Sequence, residues 1–207
     1  MQPPLAAFLE QVLATAQAGL TYSQDPFDIA RFEALRNAAA TLVASQSELD
    51  PEAIAHWIAL DSGYPTPKLD VRALILDDAG RLLLVQERSD GLWTLPGGWC
   101  DIGDSPAGAV VRELVEETGL ECRAVQLLAL FDKLKHPHPP QLPHAHKAFF
   151  LCEVTGGALL TKTDETLGAA YFPIDALPPL SRHRVVESQL RSLHDHVRQG
   201  RRHTLFD

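Results

Sequence analysis

Residues 97–120 read GGWCDIGDSPAGAVVRELVEETGL. Ser105-Pro106 offers a capping side chain and a first-turn proline, and Gly119 stands where a helix would end, so the stretch predicts a helix over about 106–118. At roughly 100° per residue, Val110, Val111, Leu114 and Val115 share one face and Glu113, Glu116 and Glu117 the opposite one. Carboxylates three and four residues apart repel one another and weaken the helix. A hard divalent cation, which prefers several oxygen ligands, offsets that cost. The plain alternative is a solvated acidic face with Arg112 pairing Glu116. The glycines upstream weigh against it, because bare backbone at Gly97-Gly98 can approach a phosphate or lend a carbonyl to a metal.

Outward from this helix, the pattern predicts strands on both sides. Val71–Leu76 and Leu82–Val85 are aliphatic runs separated by Asp77-Asp78-Ala79-Gly80, a hairpin signal. Ala124–Phe131, Ala148–Val154 and Tyr171-Phe172 read as further strands, and residues 182–199 as a final amphipathic helix. Strands interleaved with two helices predict an α/β/α layering. The N-terminal part has a different period. Leu5, Phe8, Leu9, Val12 and Leu13 follow helical spacing, with Gly19 as a stop. Asp25-Pro26 starts a second helix running to about Ala44, and Asp50-Pro51 a third ending near Leu60. The run Ser62-Gly63-Tyr64-Pro65-Thr66-Pro67 breaks the pattern and marks a boundary.

Composition narrows the classes of function. The 207 residues carry a formal net charge of −9, which argues against a generic nucleic-acid groove but not against phosphates held through a metal ion. Three cysteines without a CxxC pair give neither a disulfide framework nor a zinc knuckle, and point to a reducing cytoplasm. No apolar run is long enough to span a bilayer.

The arrangement Gly98, Asp104, Arg112-Glu113-Leu114, Glu116-Glu117 and Gly119-Leu120 resembles the signature of the Nudix hydrolases, G-x5-E-x7-R-E-U-x-E-E-x-G-U with U aliphatic. It departs at one fixed position, where Asp104 replaces a glutamate. The resemblance implies an α+β chain: a Nudix α/β/α sandwich with a mixed sheet over 65–207, preceded by a small helical N-terminal domain over 1–64. It implies Mg2+ or Mn2+ held by Glu113, Glu116 and Glu117 with the Gly97 carbonyl, and Arg112 orienting a carboxylate. Gly19-Leu20-Thr21-Tyr22, Asp25-Pro26-Phe27-Asp28, Gly63 to Lys68, Trp93 to Trp99, Phe131-Asp132-Lys133 with His136, His138 and Lys147, and Leu205-Phe206-Asp207 resemble a subgroup similar to bacterial CDP-choline pyrophosphatases. That subgroup resemblance implies substrate contacts at Lys133, His136, Trp99, Tyr22, Asp132 and Lys147.

Several features admit two readings. Glu165, in Thr163-Asp164-Glu165-Thr166, is either a polar loop residue or the general base, with Asp164 the next candidate. The stretch from His136 to His146 holds four histidines and four prolines; a zinc site is conceivable there, but an extended loop meeting phosphate oxygens fits the prolines better. Trp93 and Trp99 flank the glycine loop and can stack on a base or join the core. The expected activity is hydrolysis of a nucleoside diphosphate linked to X, with CDP-choline giving CMP and phosphocholine. ADP-ribose or an RNA 5′ end is the alternative substrate, and a nucleotide-sensing module the non-enzymatic alternative. The helical unit is expected to dock on something, most simply in a homodimer, because about sixty residues make a marginal core.

Overall fold

The computed structural model describes residues 3–45, 54, 56, 58, 63–140 and 142–207. The chain divides into two compact units: Met1–Pro67 with Pro140–His144, and Lys68–Pro139 with Ala145–Asp207. The division falls three residues beyond the expected boundary, at the start of the first strand.

The first unit holds α1 (Pro3–Tyr22) and α2 (Pro26–Ser45). Asp25 caps α2 by accepting hydrogen bonds from the amides of Phe27 and Asp28 at 2.9 and 3.0 Å. Gly19 is not a stop, since α1 continues to Tyr22. Its missing side chain instead makes room for α2: a Cβ there would come within 2.5 Å of the Phe32 ring. Small residues (Ala6, Ala16, Ala39, Ala40 and Ala44) are buried with Leu9, so this is a core built on close helix approach. The third helix expected from Asp50 to Leu60 lies outside the described residues except for Ile54, His56 and Ile58, which are helical.

The second unit contains β1 (Lys68–Leu74), β2 (Leu82–Glu87), β3 (Trp93–Thr94), α3 (Pro106–Thr118), β4 (Leu120–Asp132), a 3-10 turn at Lys133–Lys135, β5 (Ala145–Gly157), β6 (Thr166–Phe172), α4 (Glu187–Arg198) and β7 (Leu205–Phe206). Among the described residues these strands form two sheets, ordered β1-β5-β4-β7 and β3-β2-β6. The first is mixed: β1 runs parallel to β5, β4 antiparallel to β5, and β7 parallel to β4.

The expected hairpin opens after its turn. Gly80 N–H donates to Asp77 O at 2.8 Å and Leu76 bridges Leu82, but β1 and β2 then part into different sheets. β1 continues beside β5, and its other edge is occupied by the glycine loop: Val71 N–H donates to Gly98 O and Ala73 N–H to Pro96 O, both at 2.8 Å.

Strand alternation then sorts the side chains. Val71, Ala73, Ala148, Phe150 and Cys152 pack with Ala109, Val110 and Leu114 of α3. Leu74, Leu128, Phe131 and Phe149 pack with Leu190 and Leu193 of α4. Helices on both faces give the α/β/α sandwich. The final helix begins at Glu187, not near 182, because residues 181–186 are spent in turns that carry Arg184 to Glu87 and Asp90 at 2.7 and 3.3 Å.

Candidate active site

Both ends of α3 are fixed as its sequence requires. Ser105 Oγ accepts from Gly108 N–H at 3.1 Å, and Gly119, at φ 72°, ends the helix in the left-handed region. The face that turns inward is rotated from the expected one. Val115 is exposed, whereas Glu117 is only 5% exposed. The reason is angular: seven residues are nearly two full turns, so Glu117 lies about 20° from Val110 and belongs to the core side.

The carboxylates therefore divide. One oxygen each from Glu113, Glu116 and Glu165 lie within 4.8 Å of one another. Arg112 sits among them, its Nη1 donating to Glu113 Oε1 and to Glu116 Oε2, both at 2.9 Å. Its Nε reaches Asp104 Oδ2 at 3.3 Å and its Nη2 Asp101 Oδ2 at 3.3 Å. The shorter side chain at 104 thus keeps a contact to the arginine. Glu117 points instead at the glycine loop and accepts from Gly97 N–H at 2.7 Å. Burial pushes its carboxyl up to about 8, against the opposing pull of Arg72 and the Gly97 amide; the negative charges of Glu87 and Glu113 push the same way as burial. Burial raises Glu113 too, with Arg112 opposing.

The two glycines have separate roles. A Cβ on Gly97, at φ 135°, would lie 2.0 Å from Val71 O, and one on Gly98 would lie 2.8 Å from Glu113 Oε2. The first glycine lets the loop lie against β1; the second lets the Glu113 carboxylate lie against the loop.

Beside the loop is a buried ionic cluster, of which only Lys147 was an expected site residue. Asp70, Arg72 and Lys147 are each nearly inaccessible. Arg72 grips Asp70 with Nε and Nη2, both at 2.9 Å, and donates through Nη1 to Leu95 O at 3.1 Å. Lys147 Nζ lies 2.9 Å from Asp70 Oδ1. Burial works against the Asp70 carboxylate, but the two cations overcome it and hold it at about 2. Burial lowers Lys147 to about 8 despite the Asp70 charge. A signal for this cluster was present: Asp70 and Arg72 are charged, two apart, in an otherwise apolar strand, so both must point to one face.

The other expected contacts fall in several places. Lys133 is buried in the 3-10 turn, whose start Asp132 caps by accepting from Leu134 N–H at 2.9 Å. His136 packs on Phe131 at 4.5 Å between ring centroids, with its Nε2 3.2 Å from Asp207 Oδ1. Trp99 is 48% exposed beside the glycine loop, whereas Trp93 packs edge-on against Phe172 at 4.7 Å. Tyr22 belongs to the first unit, 70% exposed, with its ring 6.2 Å from that of Tyr64.

Three acidic oxygens around one point, above a glycine loop, make a donor set suited to a hard divalent ion. The NUDIX domain model matches residues 66–194. The chain belongs to the Nudix family. It is a pyrophosphohydrolase, and a second model, the UDP-X-like N-terminal oligomerisation domain, matches residues 3–58. YjhB of Bacillus subtilis (strain 168), provisionally named an ADP-ribose pyrophosphatase, is 46% identical over 198 residues, 96% of this chain and 94% of its own. A solved ADP-ribose pyrophosphatase from Streptococcus suis 89-1591 is 41% identical over 69% of this chain and 100% of its own, with a TM-score of 0.62. A solved UDP-X diphosphatase is 34% identical over 99% of this chain and 98% of its own, with a TM-score of 0.64. Among the described residues, no helix is long and apolar enough to cross a membrane.

Proposed function

We propose that this Nudix enzyme hydrolyses the diphosphate of a nucleoside diphosphate linked to X, with ADP-ribose the first substrate to test. The observation that carries the reaction class is the convergence of Glu113, Glu116 and Glu165 within 4.8 Å. Support for ADP-ribose comes from the names of the two relatives above 40% identity. The CDP-choline expectation stands as a second reading, on the N-terminal extension and its match to an oligomerisation domain of the UDP-X type.

Glu113 and Glu116 would hold Mg2+ or Mn2+; Glu117, with the Gly97 carbonyl, would join them only by leaving its bond to the Gly97 amide, and the ion when bound would supply positive charge against the diphosphate oxygens. Arg112 shares its guanidinium between Glu113 and Glu116 and keeps both carboxylates converged. Glu165, on the loop before β6, takes the proton from the attacking water. Its position is set by the loop: Thr163 Oγ1 accepts from the amides of Glu165 and Thr166, and Arg88 holds the carbonyls of Thr163 and Asp164 at 2.9 Å. Lys133, with Asp132, His136 and Lys147 around it, presents positive charge to the diphosphate, and the exposed Trp99 is the stacking candidate for the base. The first unit pairs two copies into a homodimer.

The deciding assay is a panel of ADP-ribose, CDP-choline, UDP-glucose, NADH, dNTPs and 5′-triphosphate RNA with Mg2+ or Mn2+. Turnover of ADP-ribose with release of AMP and ribose 5-phosphate is expected, and a chelator should abolish it. Turnover of CDP-choline alone overturns the ADP-ribose reading; no turnover of any diphosphate overturns both. Glu165→Gln should lower kcat by roughly two orders of magnitude if it is the base. Light scattering that finds only a monomer at micromolar concentration overturns the dimer.

A further inference from the structure

We infer that Asp207 is a positioning residue for substrate binding: it fixes the turn that carries Lys133. This rests on the reading above in which Lys133 meets the diphosphate.

β7 has only two residues, Leu205 and Phe206, lying parallel to Ala129 and Leu130 at the margin of the first sheet. Phe206 is 78% exposed, so burial of its ring does not hold the segment. Polar contacts do. Thr204 Oγ1 donates to Leu127 O at 2.9 Å, and Gln126 Nε2 to Arg201 O at 3.3 Å. The segment then delivers the Asp207 carboxylate to the end of β4. There Oδ2 accepts from Asp132 N–H at 2.7 Å and Oδ1 lies 3.2 Å from His136 Nε2. The two contacted residues flank the turn Lys133–Lys135 on either side. Asp132 closes the turn from within through its own cap to Leu134 N–H. One carboxylate therefore bonds the residue before a single helical turn and lies close to the residue after it.

Protection of a sheet edge explains the backbone pairing of Leu205 and Phe206. It does not explain a carboxylate aimed at the turn. What the turn holds does: Lys133, a buried cation set near Lys147 and the histidines His138 and His183, whose protonation it opposes. Lys147 is already paired with Asp70, and a lysine held on fixed backbone beside it is suited to an anion with several oxygens. A fixed lysine binds without first ordering its loop, which lowers the cost of association.

The test is a double-mutant cycle on the metal-loaded enzyme, with whichever of ADP-ribose, CDP-choline or UDP-glucose turns over fastest. Lys133→Ala should raise KM about tenfold, and Asp207→Ala about fivefold, with kcat within twofold of the parent. The double variant should match Lys133→Ala alone, because Asp207 acts through Lys133. Amide exchange at Lys133 and Leu134 should quicken in Asp207→Ala and less in Asp207→Asn, which keeps an acceptor for the Asp132 amide. Should Asp207→Ala fail to fold, Asp207→Asn carries the same cycle. If Lys133→Ala raises KM while the Asp207 variants do not, or if the two effects multiply, the positioning role is overturned and the Lys133 reading stands. If Lys133→Ala leaves KM unchanged in an active enzyme, the Lys133 reading fails and takes this inference with it.

Discussion

Asp70 and Glu117 show how the same interior treats two carboxylates in opposite ways. Asp70 has two cations against it and titrates at about 2, below its ordinary 3.8. Between those values the unfolded chain binds more protons than the folded one, so stability rises with pH there and is lost as pH falls from about 4 to about 2. Asp70→Asn should flatten that acid limb in melts taken across pH. It should also cost about 3 kcal/mol at neutral pH, since Arg72 and Lys147 stay buried without their counter-charge. Glu117 has a weaker balance and is pushed up to about 8. Glu117→Gln should lower kcat by roughly two orders of magnitude, yet leave the metal-free protein at least as heat-stable as the parent, because burial already favours an uncharged side chain. The nearness of Glu113 and Glu116 was legible in the spacing of the expected trio. The trio's division was not, because which side of α3 turns inward depends on how the helix rolls against β1 and β5. The pairing of Arg72 with Asp70 was legible in their spacing on β1, whereas Leu95 reaches Arg72 only when the glycine loop lies against that strand.

Among the elements, α3 was read from sequence to the residue, because cap, proline and terminal glycine act locally. Ser105→Ala should remove the bond to Gly108 N–H and cost about 1 kcal/mol by denaturant melt, with little effect on kcat. Gly97→Ala should be far worse, since the new methyl would strike Val71 O and the positive φ disfavours it; soluble yield and the melting curve would register the loss. The β1–β2 hairpin was legible only at its turn. Asp77 and Gly80 close it locally, but which sheet each strand joins is set by β5 and β6, which arrive much later in the chain. The histidine-rich stretch has a similar history. His138 bonds through Nδ1 to Arg182 O at 2.8 Å, and Arg182 Nη2 returns a bond to Pro137 O at 3.2 Å. Burial lowers this histidine to about 4 from 6.5. The unfolded chain therefore takes up a proton first, and stability falls as pH drops from about 6.5 to about 4. His138→Gln should blunt that part of the melting-temperature profile.

For the whole molecule, the change of period near Pro67 marked the passage from helical unit to sandwich, and the compact units divide there. That Pro140–His144 belong with the first unit could not be read from order along the chain. The parallel pairing of β1 with β5 has a consequence for synthesis. Lys68 finds its partner only at Ala145, after α3 and β4 have been made. A ribosome-bound chain that has just released α3 therefore carries every acidic group of that helix with no sheet to seat it. Long-range closure of this kind is slow and leaves apolar surface uncovered for a time. The charges of Glu113, Glu116 and Glu117, whose repulsion is a cost to the finished helix, would keep such an unseated helix in solution.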